Sequence, residues 1–416
     1  MITRVKGTQD FLNLNLFNFI IEHASKQAQL YQFTEIILPL LEHTELFKRS
    51  LGTETDVVNK EMFYIKSHDN DESICLRPEA TASIARAFIE NGIDQLPWRV
   101  FTWGPMFRYE RPQKGRYRQF NQISFEIIGA PSVLHDVELI AMLDRLFHER
   151  IVINNYALLI NFLGCAQDRK TYRDLLYKFL KKNHFEELCL QCKERLEKNI
   201  LRVFDCKNEQ CQLLFKKAPK ITEHLCQPCQ AEWVQVQEQL DLLSISYSHQ
   251  PTLVRGLDYY SKTVFEFVSF NLGAQNAFCA GGRYDHLVAM LGGKTDQPAV
   301  GAAIGIERLM ILLELVQDSL KLPQKRAIQV LIPIEKEQQP LALLIADELR
   351  AHDIGAEVLL EGSMKSMMRK ANKLGAAHVL IIGSQEQEQK TITVKNMITG
   401  SEEKVSQAGL VAYLKK

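Results

Sequence analysis

The sequence predicts a mixed α/β (α+β) protein with a large N-terminal region and a small C-terminal α/β domain. The stretch Met106–Gly129 has the pattern of two strands joined by a long charged loop. Residues from about 170 to 250 have a helical pattern rich in Lys, Glu and Leu, which indicates a module inserted into the region around it. Beyond a linker at 321–327, strand and helix patterns alternate over 328–416, which predicts a mostly parallel sheet.

The composition is that of a globular protein. Of the 416 residues, 46% are hydrophobic and 24% are charged, enough for two or three domains. The 50 Lys and Arg balance the 50 Asp and Glu, so no overall charge attracts nucleic acid or a membrane surface. No apolar run reaches the ~18–20 residues of a membrane span, and the first residues lack a signal-peptide core. We therefore expect a cytoplasmic protein that binds through local charged patches.

The first predicted elements are a helix and a short strand. Apolar residues recur at helical spacing from Leu14 to Tyr31. Thr34–Leu38 has the composition of a strand and is followed by Pro39, which has no N–H for a strand ladder. The strand could be a sheet edge or a subunit contact, and the sequence favours the edge.

A second helix is predicted to begin near Cys75–Thr81. Pro78 suits a first turn, where its missing N–H costs little. Glu79 and Thr81 then lie at the helix N-terminus, where a carboxylate or hydroxyl stabilises the helix by about 0.3–1 kcal/mol. Alternatively, the carboxylate holds an ammonium group. Taken alone, the segment favours the helix cap.

The hairpin predicts a binding surface. In its second strand polar and apolar residues alternate, so Phe120, Gln122 and Glu126 share one face. Arg108 and Glu110 precede the loop, beside the same face. The alternative is a solvated hairpin tip, but we interpret the hairpin as a floor that binds an anion. The loop has no acidic residue and carries these cations: Arg111, Lys114, Arg116 and Arg118.

Cysteines in the helical module indicate either a metal site or free thiols. The nine cysteines do not suggest a secreted disulfide framework. Two C-x2-C pairs fit a tetrathiolate zinc site, although Cys206 and Cys211 offer competing partners. The predicted ligands are Cys189, Cys192, Cys226 and Cys229, and the alternative is six ordinary thiols.

Glycines and arginines cluster after the module. The glycines within 280–285 and 299–305 predict a close approach of another element or a ligand. Arg255, Arg283 and Arg308 lie in or near these stretches and are the stronger indication of an anion site.

The C-terminal domain also carries a basic helix. Its cations near one face are Lys365, Arg369, Lys370 and Lys373. A solvated face is the favoured interpretation, and RNA phosphate is the alternative.

Together these groups suit one chemistry. No P-loop is present, so guanidinium groups would hold a polyphosphate. A substrate carboxylate that attacks an α-phosphate is already ionised and needs no general base, and orientation alone supplies ~7–11 kcal/mol. Phe120 offers an aromatic face for a base. The expected phosphate ligands are Arg108, Arg116, Arg255 and Arg308. The expected acceptors for an ammonium and an N–H-rich side chain are Glu79, Gln122 and Glu126.

Several of these peptides resemble class II aminoacyl-tRNA synthetases. FRYERPQKGRYRQF with FEIIG resembles motif 2, AVGAAIGIERL resembles motif 3, and the strand before Pro39 resembles motif 1. LVRGLDYY and AGGRYD resemble the two signature peptides of histidyl-tRNA synthetases. The resemblance covers the chain nearly end to end. It implies an antiparallel-sheet catalytic domain at 1–320 with the helical insertion, and an anticodon-binding domain at 328–416.

The resemblance also implies roles for single residues. Arg108 and Arg255 would be catalytic, clamping the ATP α-phosphate and the substrate carboxylate. Ala80 stands where the family has glycine, a change that we expect to be tolerated. The implied ATP ligands are Arg108, Glu110, Arg116, Phe120 and Arg308, with Mg²⁺ accompanying ATP. The implied histidine ligands are Glu79, Ala80, Thr81 and Gln122 at the α-amino end, and Glu126, Tyr259, Tyr260 and Tyr284 at the imidazole.

The function that the resemblance implies is ATP-dependent ligation of L-histidine to tRNA(His) through a histidyl-adenylate. The enzyme would be a homodimer joined through the motif 1 region, with the loop at 113–118 at the tRNA acceptor end. One alternative is a non-catalytic regulatory subunit of ATP phosphoribosyltransferase, but such paralogues typically lack the C-terminal domain. A class II synthetase of other specificity and a pure RNA-binding module are the remaining alternatives.

Overall fold

The structure is a computed structural model that describes residues 2–52, 55, 57–66, 73–255, 259–273, 276–320, 322 and 328–415. It divides into two units, Met1–Leu322 and Pro323–Lys416. Among the described residues, no helix combines the length and apolar character that crossing a membrane requires.

The first unit contains eleven strands and ten α-helices among its described residues. The strands are β1 (Thr34–Glu35), β2 (Leu41–His43), β3 (Phe63–Ile65), β4 (Ile74–Leu76), β5 (Trp98–Phe107), β6 (Gln119–Ile128), β7 (Ala157–Phe162), β8 (Ser248–His249), β9 (Ser261–Val268), β10 (Ala277–Arg283) and β11 (Ala299–Gly305). The helices are α1 (Asn15–Leu30), α2 (Thr44–Leu51), α3 (Thr81–Glu90), α4 (Leu134–Arg145), α5 (Ala166–Lys178), α6 (Leu190–Lys198), α7 (Glu209–Phe215), α8 (Gln227–Leu242), α9 (Leu287–Met290) and α10 (Ile306–Glu314).

An eight-stranded sheet organises this unit, in the order β1-β5-β6-β11-β10-β9-β7-β8. The six strands from β5 to β7 pair antiparallel, and β1 and β8 add parallel pairings at the two edges. The predicted strand Thr34–Leu38 is therefore an edge strand, but only two residues of it are strand. Ile36 N–H still donates to Phe101 O at 2.9 Å, and Pro39 then prevents the ladder from continuing. A smaller antiparallel sheet has the order β2-β4-β3.

Both faces of the large sheet are covered. One apolar core joins strand side chains such as Phe125 and Phe265 to helices α1, α4, α8 and α10. A second core joins the opposite face to α2, α3 and the inserted helices. Because period-2 alternation sends the polar residues of β6 to this second face, it is the face on which a site can form.

The predicted helical module lies between β7 and β9, which are neighbours in the sheet. Its core is continuous with that of the sheet, because Tyr172 and Leu176 belong to the same buried cluster as Val264. The last helix of the module, α8, packs against the other face, where the Trp233 and Phe162 ring centroids are 5.7 Å apart. The chain thus leaves the sheet after β7, forms the module on one face, and returns through α8 on the other.

The second unit is a small α/β fold. Its elements are β12 (Ile328–Pro333), α11 (Gln339–Ala351), β13 (Ala356–Val358), α12 (Met364–Leu374), β14 (Ala376–Ile382), α13 (Ser384–Gln389), β15 (Thr391–Asn396), β16 (Glu402–Ser406) and α14 (Leu410–Leu414). The sheet order is β13-β12-β14-β15-β16.

This sheet corrects the expectation of a mostly parallel one. The pairings of β12 with β13 and β14 are parallel, but β14–β15 and β15–β16 are antiparallel. Between β15 and β16 the Gly400 N–H donates to Asn396 O at 2.9 Å, and so short a turn can join only antiparallel strands. Strand β16 was not predicted, because its residues other than Val405 are polar and exposed.

Candidate functional site

A cavity of about 280 Å³ opens on the second face of the large sheet, between α3, the β5–β6 hairpin and the start of α10. Twelve predicted site residues line it: Glu79, Ala80, Thr81, Arg108, Glu110, Arg116, Phe120, Gln122, Arg255, Tyr259, Tyr260 and Arg308. The structure therefore brings together side chains from peptides far apart in the sequence. Its volume is near that of typical small-molecule sites.

Two predicted residues, Glu126 and Tyr284, lie behind the cavity wall. Glu126 is fully buried and accepts a hydrogen bond from Thr81 Oγ1 at 2.6 Å and a second one from the Tyr284 hydroxyl. Burial raises the pKa of Glu126 to about 8, while the hydrogen bonds from Thr81 and Tyr284 lower it. Of these three residues, Thr81 is the one whose surface lines the cavity.

A glycine in the facing strand makes room for this carboxylate. Gly301 pairs with Glu126 across β11 and β6. A Cβ on Gly301 would lie 1.5 Å from Glu126 Oε2, so any side chain there displaces the carboxylate. The predicted close approach at this glycine-rich strand is confirmed, and the approaching group is Glu126.

Glu79 caps helix α3. Its two carboxylate oxygens accept hydrogen bonds from Thr81 N–H at 2.7 Å and Ala82 N–H at 2.8 Å. Burial raises the pKa of Glu79, although both backbone hydrogen bonds lower it. Glu79 thus stabilises the helix N-terminus as predicted, whereas the Thr81 hydroxyl does not cap the helix and instead donates to Glu126. The bonds to Glu79 also fix a buried carboxylate in the cavity wall.

Two polar groups of β6 lack partners. Gln122 Oε1 and Ser124 Oγ are buried and make no hydrogen bond to any described residue. An unpaired buried polar atom costs about 1–3 kcal/mol, so such atoms in a cavity wall indicate a ligand that completes them. Ser124 was not predicted, although the alternation of β6 places it between Gln122 and Glu126 on the same face.

The other end of the cavity is cationic. Arg116 forms an ion pair with Glu110. Arg308 Nε donates to Gly115 O at 3.1 Å, which joins α10 to the hairpin loop. Burial, with the cations Arg116 and Arg108, lowers the pKa of Arg308 to about 10. Because the site disfavours the charged form of Arg308, the binding of an anion beside Arg308 would be favourable.

Arg108 lies between the two ends. Its Nε donates to Pro78 O at 2.9 Å, and its guanidinium carbon is 5.5 Å from the centre of the Phe120 ring. Burial lowers the pKa of Arg108, and charges near it include Glu79 and Arg255. Arg108 is therefore close to both the carboxylate end and the other cations.

Arg255 lies near Arg108 and is ion-paired with Glu266 of β9. Burial lowers the pKa of Arg255, but Glu266, Tyr260 and Tyr259 raise it above the usual value. Arg255 Nε has no partner among the described residues. The three residues that follow Arg255 in the LVRGLDYY peptide, at 256–258, lie outside the described residues.

Two carboxylates in the cavity wall escaped the sequence analysis. Glu266 is the charged residue within the apolar run TVFEFV, and a charge in a buried strand was the available signal. Glu307 precedes Arg308 and accepts hydrogen bonds from the Asn121 backbone and side chain, each at 2.8 Å. Burial raises the pKa of Glu307.

Arg283 does not join the other arginines. It is fully buried, it does not line the cavity, and its Nη2 pairs with Asp136 Oδ1 at 2.5 Å. Grouping it with Arg255 and Arg308 as an anion-binding residue was wrong. The reason is that α4 places Asp136 against it, so its charge is already compensated within the fold.

The predicted zinc ligands do not form one group. Cys189 and Cys192 lie with Cys206 and Cys211, whereas Cys226 and Cys229 lie with Cys165 and Asp168. The predicted set of Cys189, Cys192, Cys226 and Cys229 was therefore wrong, because the last pair lies at the start of α8, which packs on the other face of the large sheet. The competing partners identified in the sequence, Cys206 and Cys211, complete the first group.

Known proteins share this organisation. A family model described as histidyl-tRNA synthetase matches residues 17–309, and an anticodon-binding-domain model matches residues 329–416. The histidine–tRNA ligase of Thermodesulfovibrio yellowstonii is 43% identical over 99% of this chain and 98% of its own length. The apo histidyl-tRNA synthetase of S. aureus matches with a TM-score of 0.82 and 34% identity, covering 100% of both chains. A Bacillus halodurans structure named as an ATP phosphoribosyltransferase regulatory subunit/histidyl-tRNA synthetase matches at 20% identity and TM-score 0.64, over 92% of this chain and 99% of its own. That last similarity concerns the fold alone.

Proposed function

Since the chain belongs to the histidyl-tRNA synthetase family and is an enzyme that ligates histidine to tRNA, we propose that the cavity activates histidine with ATP as a histidyl-adenylate. The observation that carries this proposal is the order of charges in one cavity. Acceptors near Glu79 form one end, Arg108 and Arg255 the middle, and Arg116 and Arg308 the other end.

The middle of the cavity suits the reacting groups. The substrate carboxylate and the ATP α-phosphate are both anionic and repel each other, and two guanidinium groups between them neutralise that repulsion. Arg255 has an unpaired Nε besides its bond to Glu266, so it retains a donor for the ligand. Arg108 is fixed by Pro78 O and does not need to move. These two residues orient the carboxylate for in-line attack, and Arg255 stabilises the charge that develops on the phosphate.

The cationic end suits the β- and γ-phosphates. Burial and the nearby charge of Arg116 lower the pKa of Arg308, and a triphosphate would relieve the repulsion between the two cations. The Phe120 ring beside Arg108 offers a surface on which adenine stacks, and Glu110 would contact the adenine edge. Arg116 would exchange its ion pair with Glu110 for phosphate, which frees Glu110 for the base.

The acceptor end suits the histidine. Gln122 Oε1 has no hydrogen-bond partner among the described residues and Glu79 is a buried carboxylate, so an α-ammonium group would complete both. Ala80 and Thr81 form the adjoining wall. The imidazole would lie against Tyr259 and Tyr260. Its N–H would be recognised by the hydrogen-bonded group in which Thr81 and Tyr284 both donate to Glu126. A substrate without N–H groups would leave these acceptors unpaired, which gives strong discrimination.

Magnesium would accompany the ATP phosphates. Mg²⁺ usually binds through one or two carboxylates together with substrate phosphates, and Glu307 is a cavity carboxylate held in place by hydrogen bonds from Asn121. Glu307 therefore fits as the residue that would hold the ion, which neutralises phosphate charge.

Further surfaces would bind tRNA and a second subunit. Beside the hairpin loop, Arg4, Lys6 and Lys114 line an open groove that would receive the acceptor end. In the domain at 328–416, the exposed cations of helix α12 would contact phosphate groups of the tRNA anticodon stem. Ile37, which is 95% exposed next to the edge strand β1, would be covered in a homodimer.

The experiment is amino-acid-dependent ATP–pyrophosphate exchange, with Arg255→Ala as the variant. We expect exchange with histidine and not with other amino acids. Removing the Arg255 charge should lower the exchange rate about 10²–10³-fold or more, because the reaction would lose one of the two guanidinium groups that neutralise the carboxylate and the α-phosphate. Binding of tRNA, measured separately, should stay nearly unchanged.

Arg49→Ala is the control, since Arg49 lies on the exposed face of α2 in an ion pair with Glu45. It should leave exchange unchanged. Exchange with another amino acid would contradict the histidine site, and loss of tRNA binding in Arg255→Ala would contradict the role of Arg255.

A further inference from the structure

Four cysteines of the inserted module converge on one point. The sulfur atoms of Cys189, Cys192, Cys206 and Cys211 all lie within 4.8 Å of one another, and Cys189 Sγ is 3.7 Å from Cys206 Sγ. All four are free thiols. A tetrahedral zinc ion with Zn–S bonds of about 2.3 Å places its sulfurs about 3.8 Å apart. The cluster therefore already has nearly the dimensions of a zinc tetrathiolate.

Backbone donors point at these sulfurs. Cys189 N–H donates to Cys211 Sγ, and Asn208 N–H donates to Cys206 Sγ, each at 3.4 Å. Such bonds stabilise thiolates around a metal. Three of the four cysteines are buried, so the group is closed to solvent on most sides. A closed four-ligand site is typical of structural rather than catalytic zinc.

A second group lies where the module joins the sheet. The ligand atoms of Cys165, Asp168, Cys226 and Cys229 also lie within 4.8 Å of one another. Cys165 precedes α5 and Cys226 precedes α8, so the group spans the exit and the return of the chain. Asp168 Oδ1 accepts from Cys226 N–H at 2.9 Å, and Oδ2 from Cys165 N–H at 3.2 Å. These bonds hold the carboxylate in the group and leave it lone pairs for a cation.

We propose that the inserted module holds two structural zinc ions, one bound by Cys189, Cys192, Cys206 and Cys211 and the other by Cys165, Asp168, Cys226 and Cys229. The first ion joins α6, the turn at 200–205 and α7. The second ion links the start of α5, where the chain enters the module, to the start of α8, through which it returns to the sheet. Neither group is needed to explain histidine activation, and neither lines the catalytic cavity.

The first site has a structural link to catalysis. Cys206 follows Phe204 and Asp205, which line a second cavity together with Glu266, the ion-pair partner of Arg255. Loss of the first ion would loosen the segment at 200–205 next to this ion pair. We therefore expect metal removal to lower both the thermal stability of the module and the exchange rate.

The test is elemental analysis of the full chain, purified without a metal-affinity tag or chelator. We expect two zinc ions per chain. Cys192→Ser and Cys229→Ser should each lose one ion, from the first and second group respectively, while Cys75→Ser, a buried cysteine outside both groups, should retain two. Replacement of zinc by cobalt(II) should produce thiolate-to-cobalt absorption that decreases in each of the first two variants.

Separate outcomes decide the two sites. One zinc that is lost in Cys192→Ser and kept in Cys229→Ser would support the first site and overturn the second, and the reverse pattern would do the opposite. Absence of zinc, iron in its place, or disulfides detected by alkylation and mass spectrometry would overturn the proposal. Because metal content is measured directly, a variant with reduced activity but unchanged zinc would also count against it.

Discussion

Arg255 and Arg283 come from the same part of the sequence, yet their environments differ in how completely their N–H groups are satisfied. All the donors of Arg283 have acceptors: Nε reaches Asp136, Nη1 reaches Ala130 O and Asp285, and Nη2 reaches Ser132 O and Asp136. Arg255 has one carboxylate partner and an unpaired buried Nε. A guanidinium that the fold satisfies stabilises the fold, and one that it leaves partly unsatisfied is available to a ligand.

The same contrast holds for two buried carboxylates. Burial raises the pKa of Asp136, and the Arg283 charge opposes this. Burial also raises the pKa of Glu126, but only hydroxyl groups oppose it. The pair around Arg283 is therefore a compensated structural element, whereas the groups that oppose the burial of Glu126 are uncharged hydroxyls. Variants at these positions should separate stability from activity.

The largest effect is expected for Arg283→Ala. This change leaves Asp136 buried without its cation, and breaking a buried ion pair typically costs about 3–5 kcal/mol. Urea unfolding of the full chain should show a loss of that size. The histidine KM of the fraction that remains folded should be unchanged, since Arg283 does not line the cavity.

Arg49→Ala again serves as the comparison, because it removes an exposed ion pair between α2 residues that is worth about 0.3–0.5 kcal/mol. If Arg283→Ala were as stable as Arg49→Ala, Arg283 would not stabilise the fold as proposed. If Arg283→Ala raised the histidine KM strongly, Arg283 would contribute to the site, and the division between structural and catalytic arginines would be wrong.

Gly301→Ala is expected to have a smaller effect, on both the stability of the fold and the histidine KM. The new methyl group would overlap Glu126 Oε2, so Glu126 must leave its hydrogen bonds with Thr81 and Tyr284. Overpacking of this kind costs about 1–3 kcal/mol. The histidine KM should rise about tenfold, the effect of losing roughly one hydrogen bond.

Gly305→Ala is the steric control for stability. A Cβ at Gly305 would meet Arg308 at 3.6 Å, an ordinary contact, on the same strand. If the two variants have equal unfolding midpoints and Gly301→Ala has an unchanged histidine KM, the position of Glu126 does not depend on the absence of a side chain at residue 301.

The sequence allowed the main site to be predicted because its residues lie in local patterns. The alternation of β6 identified Phe120, Gln122 and Glu126 on one face, and the peptides that resemble synthetase motifs supplied the rest. Convergence in space could not be read from spacing, since Glu79 and Arg308 meet the same cavity through α3 and α10. Arg283 shows the limit clearly. Apart from Asp285, its acceptors are more than a hundred residues away, at Ala130, Ser132 and Asp136, and no local pattern signals them.

The cysteines and the second sheet show the same limit. Two C-x2-C pairs suggested one shared metal site as an alternative to free thiols, but the fold assigns each pair to different neighbours. In the C-terminal unit, alternating strands and helices predicted parallel pairing, and β16 escaped notice because its exposed polar residues carry no apolar period. Elements that bury little apolar surface leave a weak signal in the sequence.

A pH-dependent effect is expected for Glu126→Gln. The folded chain holds the Glu126 proton up to a pKa of about 8, against a usual value of 4.5. Below the usual value both states are protonated and the contribution to stability is greatest. As the pH rises towards 8 the unfolded carboxyl ionises while the folded one does not, so the stability of the wild type should fall relative to the variant. The difference can change by at most about 1.4 kcal/mol per pH unit.

Urea unfolding of the wild type and Glu126→Gln between pH 5 and pH 9 measures this difference. It should shift across the interval and level off above pH 8. In Tyr284→Phe, one hydrogen bond that lowers the Glu126 pKa is absent, so the decline should extend to higher pH. Curves that stay parallel for wild type and Glu126→Gln would mean that a cation compensates Glu126 as Arg283 compensates Asp136. Glu126 and Asp136 would then both be carboxylates compensated by a cation, and the distinction between the site and the structural ion pair would be wrong.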